Sequence, residues 1–253
     1  MVLHGFGCSW TGGEGSDIQI ESTLKNQDLI LFRNKHSWVN NLANKLQLQS
    51  KNNGISGNAN NKIFNQIVID VQDERIKKDD LVIIMWSSSL RDYIPFLPKG
   101  EWVSWSVNHL LQTPEKFIES YKSANIKYTD FLINYKDFFI VNLYNEEYYN
   151  IVNQNYIIFI QKLLNHYGIK YVMCDAFEPM ITNDNYKNLI DTSKYWNFGN
   201  KTFRDFLNDT NRLDIWEHTD TNFKTRATQH PNKNGYNLIS EELYNYIVGN
   251  NII

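Results

Sequence analysis

Apolar residues gather along this chain in two patterns. Leu81-Val82-Ile83-Ile84-Met85-Trp86 is an unbroken apolar run, which predicts a parallel strand buried on both faces. Val2 to Gly7 and Lys170 to Asp175 predict two further buried strands. Elsewhere the spacing is helical. Trp38, Val39, Leu42, Ala43 and Leu46 recur on one face between His36 and Leu48, and Ile63, Phe64, Ile67, Val68 and Val71 do so in the next segment. A Tyr-, Phe- and Ile-rich stretch from Asp137 to His166 predicts a long helix ending at Gly168, and Leu238, Ile239, Leu243, Tyr246 and Ile247 predict a closing one. Strand, helix and strand in alternation predict an α/β fold with a mostly parallel sheet.

Between these segments the pattern lapses. Asn52 to Asn60 is turn-rich. The stretch from Tyr93 to Ser123 holds Pro95, Pro98, Gly100, Trp102, Trp105 and Pro114, with a helix start at Thr113-Pro114-Glu115, and reads as an insertion over the sheet. Phe177 to Gln229 is irregular and polar and reads as a second insertion, or lid. The 253 residues suit one principal core, so the expectation is a single domain over 1–253 with insertions at about 93–123 and 177–229.

Composition narrows the function classes. With 25 Lys+Arg against 28 Asp+Glu the net charge is −3, and no basic stretch is dense enough to track a phosphate backbone, so nucleic acid is not the expected partner. A mean hydropathy of −0.49 and the lack of a long apolar run argue against a membrane span. Two cysteines, Cys8 and Cys174, are too few for a disulfide framework and match no zinc spacing, and no secretory signal is read at the start. No metal or cofactor is expected. Gly12-Gly13-Glu14-Gly15 lacks the Lys-Ser/Thr ending of a phosphate loop.

The candidate chemistry sits in loops at the carboxyl ends of predicted strands, where an open α/β sheet gathers its functional groups. Ser9 follows the first strand, Ser87, Ser88 and Arg91 follow the third, the Gly57 to Asn60 turn precedes a helix, and His230 precedes the closing helix. A serine hydroxyl needs an imidazole to take its proton, and the oxyanion that forms needs N–H or O–H donors.

In this order of blocks the chain resembles the SGNH or GDSL-type serine hydrolases. Gly7-Cys8-Ser9-Trp10-Thr11 matches the first block, Gly57 the second and His230-Pro231 the last, while Trp86-Ser87-Ser88-Ser89 stands where the third usually carries Asn. The resemblance implies a three-layer α/β/α sandwich of flavodoxin-like type. It also implies an esterase with Ser9 as nucleophile, His230 as base, and Gly57, Asn60, Ser87, Ser88 and Arg91 around the oxyanion and substrate. Ala227 occupies the position three before the histidine where the family carries Asp, so Asp220, Glu217 or a backbone carbonyl would orient the imidazole. The expected substrate is a small-molecule or carbohydrate ester, with O-acetyl groups on carbohydrate as the leading case. Gly-Cys-Ser in the first block and Trp-Ser-Ser with a downstream Arg in the third also resemble proteins of tailed phages, and with no secretory signal read the expectation is a cytoplasmic or virion-associated protein. The alternative is a catalytically silent member of the fold serving as a binding or structural module in a virion.

Overall fold

The apolar run at residues 81–86 becomes the centre of a parallel sheet because every one of its side chains is buried, with successive residues facing opposite layers. The computed structural model describes residues 1–96, 101–106, 138, 145–180, 186, 188–217 and 230–253; of 92–96 and 101–106 it describes the backbone alone. In chain order the elements are β1 (Val2–Gly7), α1 (Ser9–Gly12), α2 (Ile18–Glu21), α3 (Asn26–His36), α4 (Trp38–Leu46), β2 (Gln49–Gly54), α5 (Asn60–Gln72) and β3 (Leu81–Trp86). An antiparallel hairpin of β4 (Arg91–Phe96) and β5 (Glu101–Ser106) follows. Then come α6 (Glu146–His166), β6 (Lys170–Asp175), a 3-10 turn (Thr192–Lys194), α7 (Phe203–Asp209) and α8 (Lys233–Gly249).

The main sheet has the order β2-β1-β3-β6 and all its pairings are parallel. Leu81, Ile83 and Met85 point into one core with Leu42 of α4 and Tyr236, Ile239 and Leu243 of α8. Val82, Ile84 and Trp86 point into the other with Ile63 and Ile67 of α5 and Ile157, Ile160 and Leu164 of α6. The result is a three-layer α/β/α sandwich, as the resemblance implied. The parallel register brings the carboxyl ends of β1, β3 and β6 to one rim, with Phe6 opposite Ile84 and Trp86 opposite Asp175.

Some elements depart from the sequence reading. The turn-rich stretch read from Asn52 begins inside β2, a polar edge strand held by hydrogen bonds to β1 and by the Asn52 side chain, which donates to the Thr11 carbonyl at 2.8 Å. Helix α3 lacks an apolar period because none of its residues is buried. The long helix is described from Glu146, where Asn145 accepts from the Tyr148 N–H at 2.9 Å and caps it; residues 137 and 139–144 lie outside the described residues. The two insertions are described in part. The first contributes the β4–β5 hairpin, and its expected helix start at residue 113 lies outside the described residues; the second contributes the 3-10 turn and α7. Among the described residues no helix is long and apolar enough to cross a membrane.

Candidate active site

Strand β1 runs into α1 with no spacer beyond Cys8, so Ser9 is the first helical residue and lies at the sheet rim, 5% exposed. Cys8 itself is buried in the core. On the far side of the sequence, Trp216 and Pro231 form an isolated antiparallel bridge, the Glu217 N–H donates to the His230 carbonyl at 2.9 Å, and the Asn232 N–H donates to the Ile215 carbonyl at 2.9 Å. Asn232 also caps α8, accepting from the N–H groups of Asn234 and Gly235. This short ladder fixes His230 and Glu217 side by side.

Nε2 of His230 lies 2.9 Å from Ser9 Oγ and Nδ1 lies 3.1 Å from Glu217 Oε2. An ionised carboxylate only accepts, so Glu217 selects the tautomer with its proton on Nδ1, and Nε2 is left to accept from the Ser9 hydroxyl. Hydroxyl, imidazole and carboxylate thus stand in line, the arrangement in which a base can take a hydroxyl proton while a carboxylate holds the ring. Asp220 lies outside the described residues; of the two acids the sequence offers, Glu217 is the one seen at Nδ1.

The loop after Ser9 closes on this line. Gly15 has φ +83°, and a Cβ there would come within 2.6 Å of His230 Cβ and 2.8 Å of Glu217 Oε2, so the position admits neither the conformation nor the volume of another residue. Glu14 Oε2 lies 3.9 Å from His230 Nε2 and accepts from Ser56 Oγ at 2.6 Å, while its other oxygen pairs with Arg33 at 3.5 Å. The Tyr236 hydroxyl of α8 donates to the Glu14 carbonyl at 2.6 Å, which fastens the loop to the helix that follows the histidine. In the sequence Gly12 to Gly15 is weighed as a phosphate cradle and these roles are missed, because the contacts to Glu217, His230 and Tyr236 come from more than 200 positions away.

Ser9, Glu14, Arg33, Asn34, Ser56, Ile30 and Ile55 line a cleft of about 300 Å³. Ile55 and Ser56 of that lining open a turn to Asn58, closed by the Asn58 N–H to the Ile55 carbonyl at 3.1 Å, in which Gly57 takes φ +71° as the third residue of a type II turn requires.

The other sequence candidates divide into two groups. Asn60 is buried, its Oδ1 accepts from the Ser87 N–H at 2.8 Å, and its amide donates to the carbonyls of Ser87 and Ser88 and to Asn153 Oδ1. That amide is committed to holding the β3 exit in place. Ser88 donates its hydroxyl to Glu178, whose same oxygen accepts from the Ser89 N–H at 2.9 Å. The Ser87 hydroxyl accepts from Arg91 Nη1 at 3.1 Å and so keeps its own proton to donate. Trp196 stacks on Phe203 at 4.0 Å and donates to Glu242, and Trp216 packs on Trp10, so both are packing residues; the side chains of Trp102 and Trp105 lie outside the described residues.

Beneath the rim, Asp175 at the end of β6 is fully buried. Burial pushes its carboxyl up to about 7, against the opposing pull of hydrogen bonds from the Tyr195 hydroxyl at 2.5 Å and the Met180 N–H at 3.2 Å.

The chain is similar to solved esterases and lipases. A lipase from a goat rumen metagenome matches with 13% identity and a TM-score of 0.48, covering 97% of each chain. A protein assigned to the G-D-S-L lipolytic family from Desulfitobacterium hafniense matches with 13% identity and a TM-score of 0.42, covering 97% of this chain and 98% of that one. An acetyl xylan esterase matches with 14% identity and a TM-score of 0.42, covering 98% of this chain and 100% of that one. No protein-family model and no curated protein matches the sequence.

Proposed function

We propose that the protein is a serine esterase that removes a short acyl group, an O-acetyl group on carbohydrate being the leading substrate. The observation that carries this reading is the 2.9 Å approach of His230 Nε2 to Ser9 Oγ, with Glu217 on the opposite ring nitrogen. His230 takes the hydroxyl proton as Oγ attacks the ester carbonyl, then gives it to the departing alcohol. Water next attacks the acyl-Ser9 carbonyl, passing a proton to His230, and release of the acid returns the proton to Oγ. The Ser9 and Gly57 N–H groups and the Ser87 hydroxyl are the proposed oxyanion donors. A cleft of about 300 Å³ is at the small end for ligand sites, which favours a short acyl group, and Glu14, Asn34 and Ser56 in its walls suit a hydroxyl-rich alcohol.

The test is intact mass after a fluorophosphonate probe, on the wild-type protein and on Ser9→Ala, together with release of nitrophenol from 4-nitrophenyl acetate. One adduct in the wild type and none in the variant is the expected result. Absence of any adduct, under conditions that label a control serine hydrolase, would leave the silent binding module as the better reading.

A further inference from the structure

Two guanidinium groups converge on one ring at the sheet rim. Arg91, at the start of β4, lies with Cζ 5.1 Å from the centroid of Phe177, and Arg204, in the first turn of α7, lies 6.0 Å from the same centroid. Among the described residues neither has a carboxylate partner. The acids next to Phe177 and Arg204 are turned elsewhere: Glu178 accepts from Ser88 and Ser89, and Asp205 accepts from the Thr202 N–H and hydroxyl in its capping box, while the side chain of Asp92, next to Arg91, lies outside the described residues. Two half-buried cations around one aromatic ring repel each other, and Arg204 adds its charge to the amino end of a helix, where a cation is unfavourable. This arrangement of the described residues is one that an anion would relieve.

The pair is also close to the nucleophile. Trp10, the residue after Ser9, packs edge-on against Phe177 at 5.0 Å, and Arg91 donates to Ser87, the proposed oxyanion donor. We infer that Arg91 and Arg204, which share the Phe177 ring, form a subsite for a carboxylate carried by the substrate, so that the preferred ester is that of an acidic sugar. A guanidinium matches a carboxylate through two parallel N–H donors, and the Phe177 ring attracts both cations without neutralising them. This inference deepens the esterase reading and rests on it for the turnover, though not for the binding.

The experiment separates the two. Calorimetric titration of glucuronate into the Ser9→Ala protein reads the subsite without chemistry: glucuronate binds, glucuronamide binds at least about tenfold more weakly, and Arg204→Gln or Arg91→Gln in that background removes the difference. Equal binding of acid and amide to the Ser9→Ala protein would overturn the subsite even if the esterase stands. In the active protein, kcat/KM for acetylated glucuronic acid exceeds that for acetylated glucuronamide by about tenfold or more. Arg204→Gln brings the ratio near unity, Arg204→Lys keeps part of it, and 4-nitrophenyl acetate turnover stays within about twofold of wild type. A ratio unchanged in Arg204→Gln would overturn the assignment, whereas loss of 4-nitrophenyl acetate turnover in the wild type alone would count against the esterase and leave the titration to decide the subsite.

Discussion

Glu217 and His230 hold each other through backbone and side chain at once. The Glu217 N–H donates to the His230 carbonyl at 2.9 Å, while the Glu217 carboxylate accepts from the His230 N–H at 3.3 Å and faces Nδ1 at 3.1 Å. The ring is therefore oriented by a carboxylate whose own backbone is tied to it. In Glu217→Gln the amide can present an N–H to Nδ1 and favour the wrong tautomer, so kcat falls on the order of 10³-fold with little change in KM. Steady-state kinetics on a chromogenic acetate, with Asp220→Asn measured alongside, checks this. A larger loss in the Asp220 variant would give that residue the third position.

Gly15→Ala tests the close approach of the first loop to the pair. The variant must place a methyl group against His230 and Glu217 at a positive φ that costs a non-glycine residue about 1–2 kcal/mol. Activity is expected to fall about 10- to 100-fold, more than the modest loss of stability would explain. Urea unfolding and fluorophosphonate labelling rate, measured on the same preparation, separate the two effects.

Asn60→Ala removes the side chain that bonds Ser87 and Ser88 from both sides. The buried backbone groups left without partners cost about 1–3 kcal/mol each, so the midpoint of urea unfolding drops. The esterase also slows, because Ser87 is no longer held. Asn60→Asp keeps the acceptor for the Ser87 N–H but turns a buried carboxylate oxygen toward two carbonyls and Asn153 Oδ1, so at neutral pH it should be at least as destabilised as alanine.

Asp175 makes a prediction about pH. Folded, its carboxyl keeps a proton to about 7; unfolded, it loses it near 3.8. Between those values the native state binds the extra proton, so this group's stabilisation is full below about 4, declines as pH rises to 7, and is gone above. His4 and Asp80, which bond each other at 3.3 Å, both have lowered values and act in the opposite sense, their contributions being lost as pH falls. The signal is therefore the difference between variant and parent. Asp175→Asn, whose amide oxygen can accept from the Met180 N–H while its NH2 donates to the Tyr195 hydroxyl oxygen, should gain stability relative to wild type by a few kcal/mol, to order of magnitude, between pH 4 and pH 8. Urea unfolding at several pH values reads this, and a flat difference would show that Asp175 is ionised in the fold throughout.

How far the sequence could be read follows from what each element needs. Strands β3 and β6 are buried on both faces and so carry their own signature in continuous apolar residues, whereas β2 is held at the sheet edge by backbone hydrogen bonds that polar residues make equally well. Helix α3 buries nothing and has no period to find. Ser9 and His230 were visible because each follows or precedes a recognisable element. Glu217 was visible only as one of two acids, since its place at the ring depends on the bridge between Trp216 and Pro231, which no local pattern encodes. Phe177 and Arg204 lay in a stretch without periodicity, and only the packing of α7 beside β6 brings them to the rim, where the Arg204 N–H donates to the Ala176 carbonyl at 3.0 Å.

The hydrogen bond between Ser9 and His230 joins residues separated by 221 positions, nearly the whole chain. Contacts of such separation close late, after local helices and the neighbouring strands have formed, because the entropy of the intervening chain must first be reduced by other contacts. The proposed esterase activity is accordingly a report on completed topology. During refolding, helical signal from α5 and α6 should return ahead of catalysis, and the interval between them times the arrival of α8 on the sheet.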